Sequence, residues 1–127
     1  MTIEYQFHSS EHCLMCTVSG EIRLEEIFDY VDQVIDDQSV VGEFFEIVEF
    51  SQVDSFDFGY YRSEEVMAKL VQLSKCKDYL GSCLVAEKDL TRGMTNIFRV
   101  MGENTGLKIL VFTSVAKARK HVAEYFA

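Results

Sequence analysis

The stretch Leu24-Glu25-Glu26-Ile27-Phe28-Asp29-Tyr30-Val31-Asp32-Gln33-Val34-Ile35, soon followed by Phe44-Phe45-Glu46-Ile47-Val48-Glu49-Phe50, decides the fold. In the first part Leu24, Ile27, Phe28, Val31, Val34 and Ile35 recur at helical spacing. Glu25, Glu26, Asp29, Asp32 and Asp36 fill the opposite face, so the segment predicts an amphipathic helix. In the second part aromatic and β-branched residues crowd into seven positions, which predicts a strand. A helix running directly into a strand is half of a β-α-β unit.

Working outward, residues 3–7 alternate apolar and polar, as a half-buried strand does. Ser9-Ser10-Glu11 reads as a turn. Residues 12–19 form a second strand with Leu14, Cys16 and Val18 on one face, and the hairpin ends at Gly20. Beyond Phe50, residues 54–59 read as a loop. Residues 60–76 read as a helix with Val66, Met67, Leu70, Val71 and Leu73 inward, and with Glu64 and Glu65 at its start and Lys75 and Lys77 near its end, matching the helix dipole. Residues 80–86 are a strand. Asp89 is placed to cap a helix carrying Met94, Ile97, Phe98 and Met101 on one face. Residues 107–112 are the last strand. Thr113 or Ser114 caps a final helix with Val115, Ala118, Val122 and Phe126 turned inward. The order ββαβαβαβα predicts a single α/β domain over residues 1–127, with a mixed, mainly parallel sheet, an N-terminal hairpin and four covering helices.

Composition narrows the function. With 127 residues and neither proline nor a glycine-rich linker, one domain is expected. No apolar run approaches the roughly 20 residues of a membrane span. The start Met1-Thr2-Ile3-Glu4-Tyr5 has neither the basic end nor the apolar stretch of a leader, so a cytoplasmic location is expected. The net charge of −9 disfavours phosphate backbones and anionic membranes. The basic run Lys117, Arg119, Lys120 and His121 reads as a solvated helix face, so no nucleic-acid partner is expected. Four cysteines without an export signal are expected to be reduced thiols.

Cys13-Leu14-Met15-Cys16 is formally a CxxC, with His8 and His12 just before it. On a strand, residues three apart point to opposite faces, so the two thiols do not converge and packing is the better reading. Cys76 and Cys83 read as buried thiols. The sequence holds no nucleophile elbow, P-loop or dinucleotide fingerprint. Neighbouring carboxylates such as Asp36-Asp37 and Glu64-Glu65 diverge around a helix. Neither a cofactor nor a metal is expected, and catalysis is not. An enzyme reading would need Asp57, Glu87 and a histidine gathered in one cleft.

Gly20-Glu21-Ile22 leading into the first helix, Phe45-Glu46-Ile47-Val48-Glu49-Phe50-Ser51 as the central strand, and the closing string Leu110-Val111-Phe112-Thr113-Ser114-Val115-Ala116-Lys117-Ala118 together resemble the SpoIIAA-like proteins of the STAS superfamily. The resemblance runs over nearly the whole chain. It implies a small bacterial cytoplasmic domain of the anti-sigma-factor-antagonist type, binding proteins or lipid-like molecules. The antagonists carry an acidic residue at a strand end, then a hydroxyl phosphoacceptor and a glycine at the helix start. Here Asp57 stands for the acidic residue, but Phe58 and Gly59 follow it, and Ser55 and Ser63 only flank the loop.

Binding sites of parallel α/β sheets form beyond the carboxyl ends of the strands. That rule selects the aromatic loop Phe56-Asp57-Phe58-Gly59-Tyr60-Tyr61-Arg62, with the connections at residues 87–92 and 113–114 beside it. The candidate partner- or ligand-binding residues are Asp57, Phe58, Tyr60, Tyr61, Arg62 and Arg92, since aromatics and arginine dominate binding hot spots. Phe56 and Phe58 have a second role open to them, closing the end of the core. The expected function is a non-catalytic regulatory or protein-interaction module whose partner is another protein or a second copy. The alternative is a carrier of a small apolar ligand, which needs a pocket of about 300–1,000 Å³ lined by aliphatic and methionine side chains such as Met67, Met94 and Met101.

Overall fold

The computed structural model describes residues 2–127, apart from the side chains of Tyr60 and Leu90. Alternation fixes one edge of the sheet. In β1 (Thr2–His8) exposed and half-buried residues alternate, and Ile3, Tyr5 and Phe7 turn to the core. A 3-10 turn at Ser9–Glu11 reverses the chain and closes at His12, whose φ of 54° is left-handed, a region histidine enters more readily than most residues. β2 (Cys13–Ile22) then runs back antiparallel, with Tyr5 opposite Cys16.

From there helices and strands alternate: α1 (Leu24–Asp36), β3 (Phe44–Phe56), α2 (Ser63–Cys76), β4 (Tyr79–Val85), α3 (Asp89–Gly102), β5 (Lys108–Phe112) and α4 (Val115–Tyr125). The five strands stand in chain order, β1 antiparallel to β2 and every later pair parallel. Each parallel connection steps one place in the same direction. Right-handed crossovers then put α1, α2 and α3 side by side on one face, where they pack on each other. α4 follows the last strand and covers β3, β4 and β5 from the other face.

Two cores result, and β3 divides its side chains between them. Phe44, Val48 and Phe50 face the three-helix side, while Phe45 and Ile47 face α4 with Ala118 and Val122. The part of the α4 face that no helix covers carries Glu4, Gln6 and Thr17, which are exposed and polar. Cys13 and Cys16 fall into different cores, as period-2 geometry requires. Ser114 is the helix cap of α4, its Oγ accepting from the Lys117 N–H at 3.2 Å. Ser114→Ala is expected to cost about 1 kcal/mol in urea denaturation, the usual loss for such a cap.

Four local expectations need correction. β3 continues to Phe56, well past Phe50, because β2 also continues, through register shifts at Thr17/Ser19 and Gly20/Glu21. The two strands form a ribbon that outruns β4, which ends opposite Glu49. The helix expected at residues 60–76 begins at Ser63, after a 3-10 turn at Tyr60–Arg62. Asp89 is the first helical residue of α3 rather than its cap, so its carboxylate meets the helix dipole and caps no N–H. Cys76, at the end of α2, is exposed rather than buried.

Candidate functional site

The loop between β3 and α2 is fixed by its backbone. The Asp57 N–H donates to the Ile22 carbonyl at 2.7 Å, tying the loop to the end of β2, and the Arg62 N–H donates to the Gly59 carbonyl at 3.0 Å. Phe58 is 7% exposed and meets Phe56 edge-on at 5.8 Å, so it closes the end of the core. Phe58 therefore supports the loop from below and is not a contact surface. Tyr61 is the opposite case, 74% exposed. A Cβ on Gly59 would lie 2.6 Å from the Tyr61 ring, so the glycine leaves room for the ring to rest on the backbone.

The arginines do not converge. Arg62 forks onto Glu65, Nε to Oε2 at 2.6 Å and Nη2 to Oε1 at 3.2 Å. That bond is the first cause lifting the guanidinium further and holding the Glu65 carboxyl below its usual range. Arg92 Nη2 donates to the Glu87 carbonyl at 2.9 Å, pinning the β4–α3 connection. Asp57 is exposed. Tyr60 joins the 3-10 turn through its backbone, and its side chain lies outside the described residues. The parallel β3–β4 pair brings the two connections to one edge, and Ser63, fully buried at the start of α2, links them by donating to the Met94 sulfur of α3 at 3.6 Å.

No histidine joins this edge. His8 and His12 flank the β1–β2 turn at the opposite end of the sheet, where the His12 ring stacks on Phe126 at 4.1 Å. His121 packs against Phe45 and Phe112. Among the described residues, no three His, Cys, Asp or Glu side chains stand where they would hold a metal ion. Burial pushes the Cys13 thiol up to about 11 and Cys83 to about 12, which keeps both protonated and unreactive at neutral pH.

Sequence reasoning missed the most unusual polar group. Glu46, near the start of β3, is 3% exposed beneath the helices. Tyr30 of α1 donates to its Oε2 and Ser82 of β4 to its Oε1, both at 2.5 Å, and Tyr79 is bonded in turn to Ser82. Burial raises the Glu46 carboxyl, and the two hydroxyls draw it part of the way back. The available signal was a glutamate on the same face of the strand as Phe44, Val48 and Phe50, beneath the helices of a covered sheet. Glu46, Tyr30 and Ser82 form the polar part of the wall of a cavity of about 70 Å³ lined elsewhere by hydrocarbon. That volume is well under the 300 Å³ expected of a lipid carrier, and no methionine lines it. Met67 is buried in the core, with Met94 and Met101 packed at its margin.

No protein-family model matches the sequence, and no curated protein matches it. Solved structures do. An uncharacterised protein of the DUF3478 family with a SpoIIAA-like fold, from Shewanella loihica, superposes with a TM-score of 0.62 at 14% identity, over 95% of this chain and 92% of the other. The anti-sigma factor antagonist SpoIIAA in its unphosphorylated form gives 0.57 at 9% identity, over 97% and 98%. The chain has the SpoIIAA-like fold. An anti-sigma factor antagonist from Mycobacterium paratuberculosis is similar as well, at 0.58 and 17% identity over 95% and 92%. The SpoIIAA-like fold here consists of a five-stranded mixed sheet with four helices, and at such identities the likeness concerns the fold. Among the described residues, no helix is long and apolar enough to cross a membrane.

Proposed function

We propose that this chain is a non-catalytic regulatory module of the bacterial cytoplasm that binds a protein partner at the carboxyl edge of its sheet. The observation that carries the reading is Tyr61, a large aromatic left 74% exposed on a loop held by backbone hydrogen bonds on both sides. A pre-ordered aromatic loses little entropy on binding, which is what makes tyrosine a frequent hot spot. Exposed Asp57, Arg62 and Arg92 supply charge on the same edge, Arg62 held by Glu65 and Arg92 on the neighbouring connection, with Phe58 as the buried support. Two of the similar structures are named as anti-sigma factor antagonists, proteins defined by their action on another protein.

The edge works without a phosphoserine in this reading. Ser63 is fully buried against Met94, and Ser55 sits on β3 with its hydroxyl turned to Glu21 at 3.4 Å. Phosphorylating Ser63 would place about two negative charges inside the α2–α3 contact.

The test is the double variant Tyr61→Ala, Arg92→Ala in the native host. Retention of the co-purifying partner, whether another protein or a second copy, is expected to fall at least about tenfold, the loss of one hot spot. Both side chains are exposed, so stability is expected to stay within about 0.5 kcal/mol of the parent. Undiminished retention by a folded double variant would remove this edge as the binding surface.

A further inference from the structure

At the end of the sheet opposite the partner edge, α4 and the β1–β2 turn enclose a second cavity. Arg119, Val122, Ala123 and Phe126 stand at i, i+3, i+4 and i+7, which makes them one stripe along α4. Glu11, His12 and Cys13 face that stripe from the turn and the start of β2. The space between is about 330 Å³, at the lower end of the range for small-molecule sites and far above the 70 Å³ beside Glu46.

Its wall is built from a fixed aromatic pair and a free charge. Among the described residues, His12 is the one non-glycine position with a left-handed backbone. Its Nδ1 lies 3.1 Å from the Glu43 carbonyl, and a carbonyl only accepts, so Nδ1 carries the proton. That bond fixes the ring where it stacks on Phe126, and Val122 and Ala123 continue the apolar wall. Cys13 lies 3% exposed at the floor. After burial, the influences on its thiol are Arg119, which lowers it, and Glu11, which raises it, so both charged heads reach toward the floor. They do not pair with each other. Glu11 lies 3.7 Å from His8, and among the described residues Arg119 has no ion-pair partner.

From this arrangement we infer that the cavity binds a small monocarboxylate with an apolar body, its carboxylate on the Arg119 guanidinium and its body along Val122, Ala123 and Phe126. The guanidinium fork meets a carboxylate with two parallel N–H bonds. A phosphate monoester brings a second negative charge, whereas Arg119 is the only permanent cation in the wall and Glu11 stands across from it. A neutral ligand fills the space and leaves the guanidinium without a counter-charge. Size agrees with this class, since a cavity of about 150 Å³ takes benzene. The site lies at the amino end of the parallel strands, apart from Tyr61, and neither reading depends on the other.

The test uses the intact protein with isotope-labelled valine and alanine methyls and three ligands of one shape that differ in charge: benzoate, benzamide and benzamidinium. Shifts of the Val122 and Ala123 methyls report occupancy. Ligands so small support about millimolar affinity. Benzoate is expected to bind at least about tenfold more tightly than benzamide, with benzamidinium weakest. A chain of net charge −9 does not gather anions over its surface, so this order is specific to the cavity. Arg119 is exposed, and Arg119→Gln is expected to fold as the parent does and to bring benzoate within about threefold of benzamide. Lys120→Gln, on another stripe of α4, is expected to leave benzoate binding unchanged. Benzamide or benzamidinium binding as tightly as benzoate overturns the proposal. So does an equal loss from Lys120→Gln, undiminished benzoate binding by Arg119→Gln, or the absence of shifts at Val122 and Ala123.

Discussion

Gly81→Ala is expected to destabilise the protein by about 3 kcal/mol, the upper part of the usual range for overpacking. Gly81 pairs with Lys108 across the β4–β5 boundary. A Cβ there would overlap the carbonyl oxygen and carbon of Lys108. These are backbone atoms, so no side-chain rotation relieves the clash, and the strands must separate. β5 is an edge strand of five residues, paired only with β4 and otherwise held by α3 and α4 packed on its faces. It carries Ile109 of the three-helix core, and the Phe112 carbonyl accepts from the Ala86 N–H at 3.0 Å beside the β4–α3 connection. The damage therefore reaches the partner edge as well as the core. Gly93→Ala is the matched control: a Cβ there meets nothing within 4 Å, and alanine in a helix gains up to about 1 kcal/mol over glycine. Urea denaturation of the two variants side by side should give opposite signs.

Glu46→Ala is the second large effect, and it depends on pH. The substitution removes the acceptor of two buried hydroxyls, Tyr30 and Ser82. Each orphaned hydroxyl costs about 1–3 kcal/mol, so a loss of about 3 kcal/mol is expected at pH 5. The folded protein raises the Glu46 carboxyl above its ordinary value, by burial first. A carboxyl raised by folding contributes its full stability below the unfolded value and loses it as pH rises through the folded one. The difference between parent and Glu46→Ala is thus expected to be largest near pH 4.5 and to shrink toward pH 8. A difference that grows with pH would mean that the hydroxyls hold Glu46 ionised and that burial is the lesser effect.

The two behaviours share a cause. β3 along its first half and β4 beside it send side chains into both cores, under helices on both faces, so they tolerate neither extra volume nor uncompensated charge. The sequence shows the first of these consequences and conceals the second. Alternation in residues 3–7 and the helical spacing from Leu24 to Ile35 are local, and both elements form where they are expected. Cys13 and Cys16 divide between faces for the same local reason. The extension of β3 to Phe56 is not local: Ser51, Gln52, Asp54 and Ser55 look like loop residues because the ribbon they form with β2 is covered less than the sheet below it.

The candidate site was legible only as a position. The carboxyl-edge rule places residues 57–62 correctly at the end of β3, but not which side chains are free. Phe58 turns down into the core, Arg62 is held by Glu65, and Tyr61 stands out. Those assignments depend on contacts between neighbouring residues that spacing alone does not order. The Glu46 network draws on α1, β3 and β4, three elements distant in sequence. Its one local sign is its place on the strand face shared with Phe44, Val48 and Phe50.

The central claim is that a protein partner seats on the edge around Tyr61, and site-specific photo-crosslinking tests it most directly. A photoreactive phenylalanine analogue replaces Tyr61 in one strain and exposed Ala123 on α4 in another, both in the native host. A discrete adduct of one mass is expected from position 61 and none from position 123. Adducts of equal yield from both positions, or none from position 61 in a folded protein, would contradict it.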